Sequence, residues 1–238
     1  DVHVDCHGRN HLPAGPGVEV GFVDNAHYAT TPMGAGITMD SGFYQSFHKD
    51  GVEQPIVATI GDSTFYHSGT AGLLNAVYND ARFILVVLDN QTTAMTGMQP
   101  TPGLGIRADG SRGNAVSLER VIAGCGVNFV EVVDPYDIQG MTALMKKAVQ
   151  YVQRPDGGVA AIIARHPCVI AYRDQAILQK KQVKVTEACV ECNFCHERFE
   201  CPALYKDEDL GRTAVNQALC VQCGVCIQIC PKGAIVEA

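Results

Sequence analysis

A parallel, doubly wound α/β domain followed by a small cysteine-rich module is the fold class this sequence predicts. Two patterns carry the prediction. Across residues 55–164, apolar strand-like runs alternate with stretches of helical periodicity, the signature of strand-helix-strand units in a parallel sheet. Beyond residue 188 that alternation stops, and eight of the eleven cysteines crowd between Cys189 and Cys230.

Each element has a local reason. Gly34 and Gly36 open a helix running to about residue 49, and its small-residue amino end suits either an anion or close helix-strand packing. Pro55-Ile56-Val57-Ala58-Thr59-Ile60 reads as a buried strand, closed by Gly61-Asp62-Ser63. Residues 67–79 fit a helix with Leu73, Leu74 and Val77 at helical spacing, and 83–88 form a second buried strand leading into Asp89-Asn90. Gln99-Pro100-Thr101-Pro102-Gly103-Leu104-Gly105 is a loop of the kind that covers a ligand beyond strand ends. A helix is predicted over 116–124 and an alternating strand over 127–133, ending at Asp134-Pro135-Tyr136-Asp137. Residues 137–152 form a helix whose stripe of Ile138, Met141, Leu144, Met145 and Val149 is core, and 158–164 is the last strand. Residues 173–187 are charged and lack a clear apolar face, so they read as a linker, partly helical. The predicted division is 1–172, linker 173–187, and 188–238.

Composition bounds the function. The chain has 238 residues, 47% hydrophobic and 18% charged, which suits a globular fold with a real core. A net charge of −7 argues against nucleic acid and offers no basic run to a membrane surface. No apolar run reaches the ~20 residues that span a bilayer, and no secretory signal opens the chain. Clustered cysteines without such a signal point to metal or cluster ligation in a reducing, cytoplasmic setting rather than to disulfides. A first residue of Asp1 instead of Met predicts a processed, trimmed or partial chain. In the polar residues 1–32, His3, Cys6-His7 and His11 match no ligand motif and are read as an approach segment.

The chemistry gathers between residues 61 and 90. Ligands of a parallel α/β sheet sit at the carboxyl ends of its strands. Asp62 reads as the only carboxylate at its strand end, and the amide oxygen of Asn90 closes the neighbouring strand. Such a pair suits Mg²⁺, which takes few protein oxygens and completes its shell with phosphate.

Gly61-Asp62-Ser63-Thr64-Phe65-Tyr66-His67-Ser68-Gly69, with Leu88-Asp89-Asn90-Gln91-Thr92-Thr93-Ala94-Met95-Thr96-Gly97-Met98-Gln99-Pro100, resembles the large subunit of the indolepyruvate:ferredoxin oxidoreductases. That family carries a thiamine diphosphate motif of Gly-Asp-Gly followed by Asn, and Ser63 stands here in the third place. Val133-Asp134-Pro135-Tyr136-Asp137 and Ala164-Arg165-His166-Pro167-Cys168 are similar to the same family. The resemblance covers about residues 30–238. It implies a sheet of the thiamine diphosphate-binding type. It also implies Mg²⁺ held by Asp62, Asn90 and the Thr92 carbonyl, with Gly61 and Ser63 close to the diphosphate and Ala94 and Met95 beside the cofactor. His67 is the candidate for a catalytic contact with substrate. The family's cysteine-rich motif and substrate-side loop, expected near the start, are not recognisable in residues 1–32.

The tail reads Cys189-x₂-Cys192-x₂-Cys195-x₅-Cys201-Pro202, then Cys220-x₂-Cys223-x₂-Cys226-x₃-Cys230-Pro231. The second run has the spacing of bacterial ferredoxins, in which the fourth cysteine of each run serves the other cluster. Zinc sites use pairs of Cys-x₂-Cys, not triplets followed by Cys-Pro. The ferredoxin resemblance implies one 4Fe-4S cluster on Cys189, Cys192, Cys195 and Cys230, and another on Cys220, Cys223, Cys226 and Cys201. Five residues precede Cys201 where three are usual, and the same family shows that wider gap.

Together these resemblances imply oxidative decarboxylation of a 2-oxoacid, an aryl pyruvate such as indolepyruvate, to an acyl-coenzyme A and CO₂. Electrons would pass through two clusters to ferredoxin. The family's cofactor site lies between two domains, so a second subunit or an amino-terminal domain is expected. On the rival reading the chain is an electron-transfer or assembly subunit holding half a thiamine diphosphate site, inactive alone.

Overall fold

The computed structural model describes residues 33–172 and 180–238, which divide into a larger unit, running to Pro135 and over Gln139–Ala171, and a smaller one of Tyr136–Ile138 with Tyr172–Ala238. His3, Cys6, His7 and His11 lie outside the described residues.

The larger unit runs α1 (Ala35–Lys49), β1 (Val57–Gly61), α2 (Asp62–Thr64), a π-helical turn (Phe65–Gly69), α3 (Thr70–Tyr78), β2 (Ile84–Asp89), α4 (Leu118–Gly124), β3 (Phe129–Val133), α5 (Ile138–Val152) and β4 (Ala160–Arg165). Its strands form a parallel sheet in the order β1-β2-β4-β3. β2 and β4 occupy the centre and are buried along nearly their whole length, which is why both read as unbroken apolar runs. Alternate side chains of β2 feed opposite faces. Leu85 and Val87 join Ile37, Phe65, Leu73 and Ile122 in one core. Ile84 and Val86 join Ala148, Val152 and Ile162 in the other. The sheet is therefore covered on both sides, the doubly wound arrangement the alternation predicts. On α5, Met141, Leu144, Met145 and Val149 pack on the second core as expected, but Ile138, the first residue of the expected stripe, does not join them.

Two local readings change. Leu74 is 52% exposed; the buried stripe of this helix is Gly72, Leu73 and Ala76. A Cβ on Gly72 would come within 3.1 Å of Thr38, so α3 lies too close to α1 for a larger stripe. The helix also begins earlier than residue 67, since α2 starts at Asp62 directly off β1. The small residues at the head of α1 serve packing. Gly34 has φ +92°, and a Cβ there would strike the Ser68 hydroxyl at 2.3 Å.

The smaller unit contains β5 (Val183–Val185), α6 (Phe194–Glu197), β6 (Leu204–Asp207), β7 (Arg212–Val215), α7 (Val225–Ile229) and β8 (Ile235–Glu237). β6 and β7 form an antiparallel hairpin, and β5 pairs antiparallel with β8. That pairing corrects the linker expected over 173–187. Val183 is buried at 2% exposure beside Ile235 and Cys226, so this end of the charged stretch is a strand of the module. Residues 173–179 fall outside the described residues. Among the described residues, no helix is long and apolar enough to cross a membrane.

Candidate cofactor and cluster sites

Gly61 leaves β1 in an extended conformation and Asp62 opens α2 in the next position, so the carboxylate is held at the carboxyl end of the strand. Asp62 is only 3% exposed, and its Oδ2 is buried without a hydrogen-bond partner. Burial pushes its pKa up to about 7; the Ser63 amide pulls it down, and the charge and hydrogen bonding of Asp89 push it up again. A buried carboxylate with an open oxygen is short of a positive charge. That shortage fits the Mg²⁺ expected there.

The Asn90 side of the site is built by β2 and β4 together. Their pairing runs out to Asp89 opposite Arg165. Beyond it the His166 amide donates to the Asp89 carbonyl and the Cys168 amide to the Asn90 carbonyl, both at 3.0 Å. Gln91 adopts φ +61°, and the Thr92 amide returns a hydrogen bond to Asn90 Oδ1 at 3.0 Å. An amide oxygen accepts two hydrogen bonds, so one lone pair of Asn90 Oδ1 is left for a cation. Thr92 is buried, and the Thr93 hydroxyl donates to Ser63 Oγ at 2.9 Å, tying this loop to the Asp62 turn. The structure thus brings Gly61, Asp62, Ser63, Asn90 and Thr92 to one edge of two adjacent parallel strands. Ala94 and Met95 follow in the same loop, with Met95 56% exposed. His67 is exposed on the π-helical turn that follows α2.

Asp62 is not the only carboxylate at this edge. Asp89 is 7% exposed and close enough to raise the Asp62 pKa. Arg165 Nε donates to Asp89 Oδ2 at 2.5 Å, and another nitrogen of the same guanidinium donates to Glu119 Oε1 at 2.8 Å. Ser117, the N-cap of α4, donates to the second Glu119 oxygen at 2.7 Å. The Arg165 hydrogen bond, with that from Ser117, holds Glu119 down at a pKa of about 2. Tyr66 belongs to the same neighbourhood. Burial, with the charges of Asp89, Asp62 and Glu119, pushes its phenol up to about 12. It stays neutral and donates to the Val116 carbonyl at 2.5 Å. Sequence reasoning gave no role to Asp89, Arg165, Glu119 or Tyr66. Asp89 and Arg165 both sit at strand ends, the one signal available.

The eight tail cysteines gather into two sets of four. Cys189, Cys192, Cys195 and Cys230 line one cavity with Thr213 and Lys232. Cys226 is buried, and its thiol is pushed up to about 12 by burial and by the neighbouring Cys223, Cys201 and Cys220. Both triplets use one backbone device. The residues flanking the middle cysteine are left-handed in each: Glu191 (φ +51°) and Asn193 (φ +59°), Gln222 (φ +60°) and Gly224 (φ +72°). A short helix then carries the third cysteine, α6 for Cys195 and α7 for Cys226. Among the described residues no three His, Cys, Asp or Glu side chains converge on a single-ion site; the first set of thiols rings a cavity instead. Thiols spread around a space fit a cube of iron and sulfide. The two remaining described cysteines, Cys125 and Cys168, are partly buried and free, and burial raises the Cys125 thiol.

Residues 19–163 match the family described as thiamine pyrophosphate enzyme, C-terminal TPP binding domain. Residues 213–236 match a 4Fe-4S binding domain. The indolepyruvate oxidoreductase subunit IorA of Archaeoglobus fulgidus is 45% identical over 211 residues, 88% of this chain and 32% of that protein. IorA of Thermococcus kodakarensis is 40% identical over 205 residues, 83% of this chain and 30% of that protein. The chain therefore spans about a third of the length of the curated relatives it matches. Among solved structures, a 2-oxoglutarate:ferredoxin oxidoreductase from Magnetococcus marinus aligns with a TM-score of 0.48 and 16% identity, covering 57% of this chain and 45% of that one.

Proposed function

We propose, from the fact that the chain belongs to the thiamine pyrophosphate enzymes, that it is the cofactor-and-cluster portion of a 2-oxoacid:ferredoxin oxidoreductase acting on an aryl pyruvate such as indolepyruvate. In this reading Asp62, Asn90 and the Thr92 carbonyl hold Mg²⁺. Gly61 and Ser63 let the diphosphate approach the chain, and Ala94 and Met95 lie along the cofactor. Bound thiamine diphosphate supplies the electron sink for decarboxylation, while the protein positions it. His67 reaches the substrate from the π-helical turn. Cys189, Cys192, Cys195 and Cys230 carry one 4Fe-4S cluster, and Cys201, Cys220, Cys223 and Cys226 the other. The clusters pass single electrons to ferredoxin, coenzyme A takes the acyl group, and the enzyme works in the cytoplasm.

The observation that carries the proposal is the unpartnered Asp62 Oδ2. It lies at a strand end beside Asn90, in a chain that also gathers two sets of four thiols. IorA relatives are about three times as long as the matched region. That favours a site completed by a further domain or a second subunit, which brings the group that activates the cofactor's aminopyrimidine. The test is 2-oxoacid-dependent reduction of viologen with thiamine diphosphate, Mg²⁺ and coenzyme A. Turnover should appear when the upstream region or partner subunit is supplied and stay absent from the 238-residue chain alone. Robust turnover by the isolated chain would overturn the need for a partner, and none in either case would overturn the activity.

A further inference from the structure

We infer that the two clusters are electronically unequal, with the one on Cys189, Cys192, Cys195 and Cys230 the easier to reduce, and that the Thr213 hydroxyl is a positioning residue that makes it so. The inference rests on the proposed cluster ligation. Thr213 comes from β7, outside both cysteine triplets, and is 4% exposed. Its hydroxyl lies 3.7 Å from Cys195 Sγ and 3.0 Å from His196 Nε2. A threonine hydroxyl has one proton to give and two lone pairs to receive with. When His196 Nε2–H donates to Oγ1, the hydroxyl proton is left for sulfur. On the fourth ligand, the Ala234 amide donates to Cys230 Sγ at 3.3 Å.

One-electron reduction makes a cluster one unit more negative. Hydrogen bonds to its sulfurs stabilise that form and raise the potential, as does solvent exposure. The first set has the Thr213 hydroxyl, the Ala234 amide, an exposed Cys192 and the cationic Lys232 on the same cavity. In the second set Cys226 is 6% exposed, more deeply buried than any thiol of the first set. Burial there opposes added negative charge. An electron shared between the clusters therefore rests on the Cys189 set.

The experiment is an EPR-monitored redox titration of the holoenzyme and its Thr213→Val, Thr213→Ala and Thr213→Ser variants, after iron and sulfide analysis of each. Iron content separates failure of the ligation reading, which would show as an enzyme lacking clusters, from failure of this inference. Expected is a shift of the higher-potential wave to lower potential in Thr213→Val, retention of that wave in Thr213→Ser, and an unmoved lower wave in both. Should Thr213→Val lose iron, Thr213→Ala against Thr213→Ser gives the same contrast. Equal potentials with and without the hydroxyl, or a shift confined to the lower wave, would overturn the inference.

Discussion

Arg165 Nε lies 2.5 Å from Asp89 Oδ2 at the carboxyl edge of the sheet, where β4 and β2 end opposite one another. The same guanidinium reaches Glu119 at the start of α4, so one cation fastens three elements around Asp62. Asp89 is the middle link. It is bound to Arg165 on one side and raises the pKa of Asp62 on the other. Arg165, two strands from the proposed metal ligand, thus reaches it through Asp89.

Removing that cation should loosen the metal site without touching the clusters. Partners behind a metal ligand typically control about 10- to 100-fold in affinity. Arg165→Met should weaken Mg²⁺-thiamine diphosphate binding by a factor in that range, read by isothermal titration calorimetry, with iron content unchanged. Wild-type affinity in the variant would mean that Arg165 serves stability alone.

Asp62→Ala should abolish retention of the cofactor after desalting while the charge-transfer absorption of the clusters persists. The oxygen removed with it is the buried one that has no protein partner. Thiamine diphosphate retained at wild-type stoichiometry would show that the metal lies elsewhere.

Asp62 also predicts a pH dependence. Its pKa is raised from 3.8 to about 7 in the folded chain, so the cofactor-free fold favours the protonated acid. That contribution to stability is full below the unfolded value and is lost as pH rises through about 7. Mg²⁺ needs the carboxylate, so cation and proton compete. Affinity should climb as pH passes upward through that value, and binding below it should release a proton, measurable by calorimetry in two buffers of different ionisation enthalpy. Affinity that is flat with pH, with no proton release, would contradict the assignment.

Cys230→Ser should damage the cluster held by Cys189, Cys192 and Cys195, although Cys230 is nearer in sequence to the other triplet. The four line one cavity. Iron should fall by about half, with the lower-potential EPR signal retained. Loss of the other signal instead would exchange the fourth ligands.

The parts of this molecule legible in its sequence are those fixed by short-range pattern. β2 and β4 showed as apolar runs because both faces of a central parallel strand are covered. The cysteine sets showed because three thiols must reach one space from a tight loop, and that demands fixed spacing. Contacts set by the third dimension stayed hidden. Nothing near Leu74 announces that Gly72 draws α3 against α1 and turns Leu74 outward. β5 read as linker because a three-residue strand shows no period, and its partner β8 lies at the far end of the module. Arg165 and Glu119 are 46 residues apart, so their ion pair leaves no mark on either local sequence.

The most direct test of the account is the cofactor content of the chain purified without oxygen and then desalted in the presence of Mg²⁺. Two 4Fe-4S clusters and one thiamine diphosphate predict about eight irons and eight sulfides per chain, with thiamine diphosphate retained and broad charge-transfer absorption. Stoichiometric zinc with no such absorption, or no retained thiamine diphosphate, would contradict it.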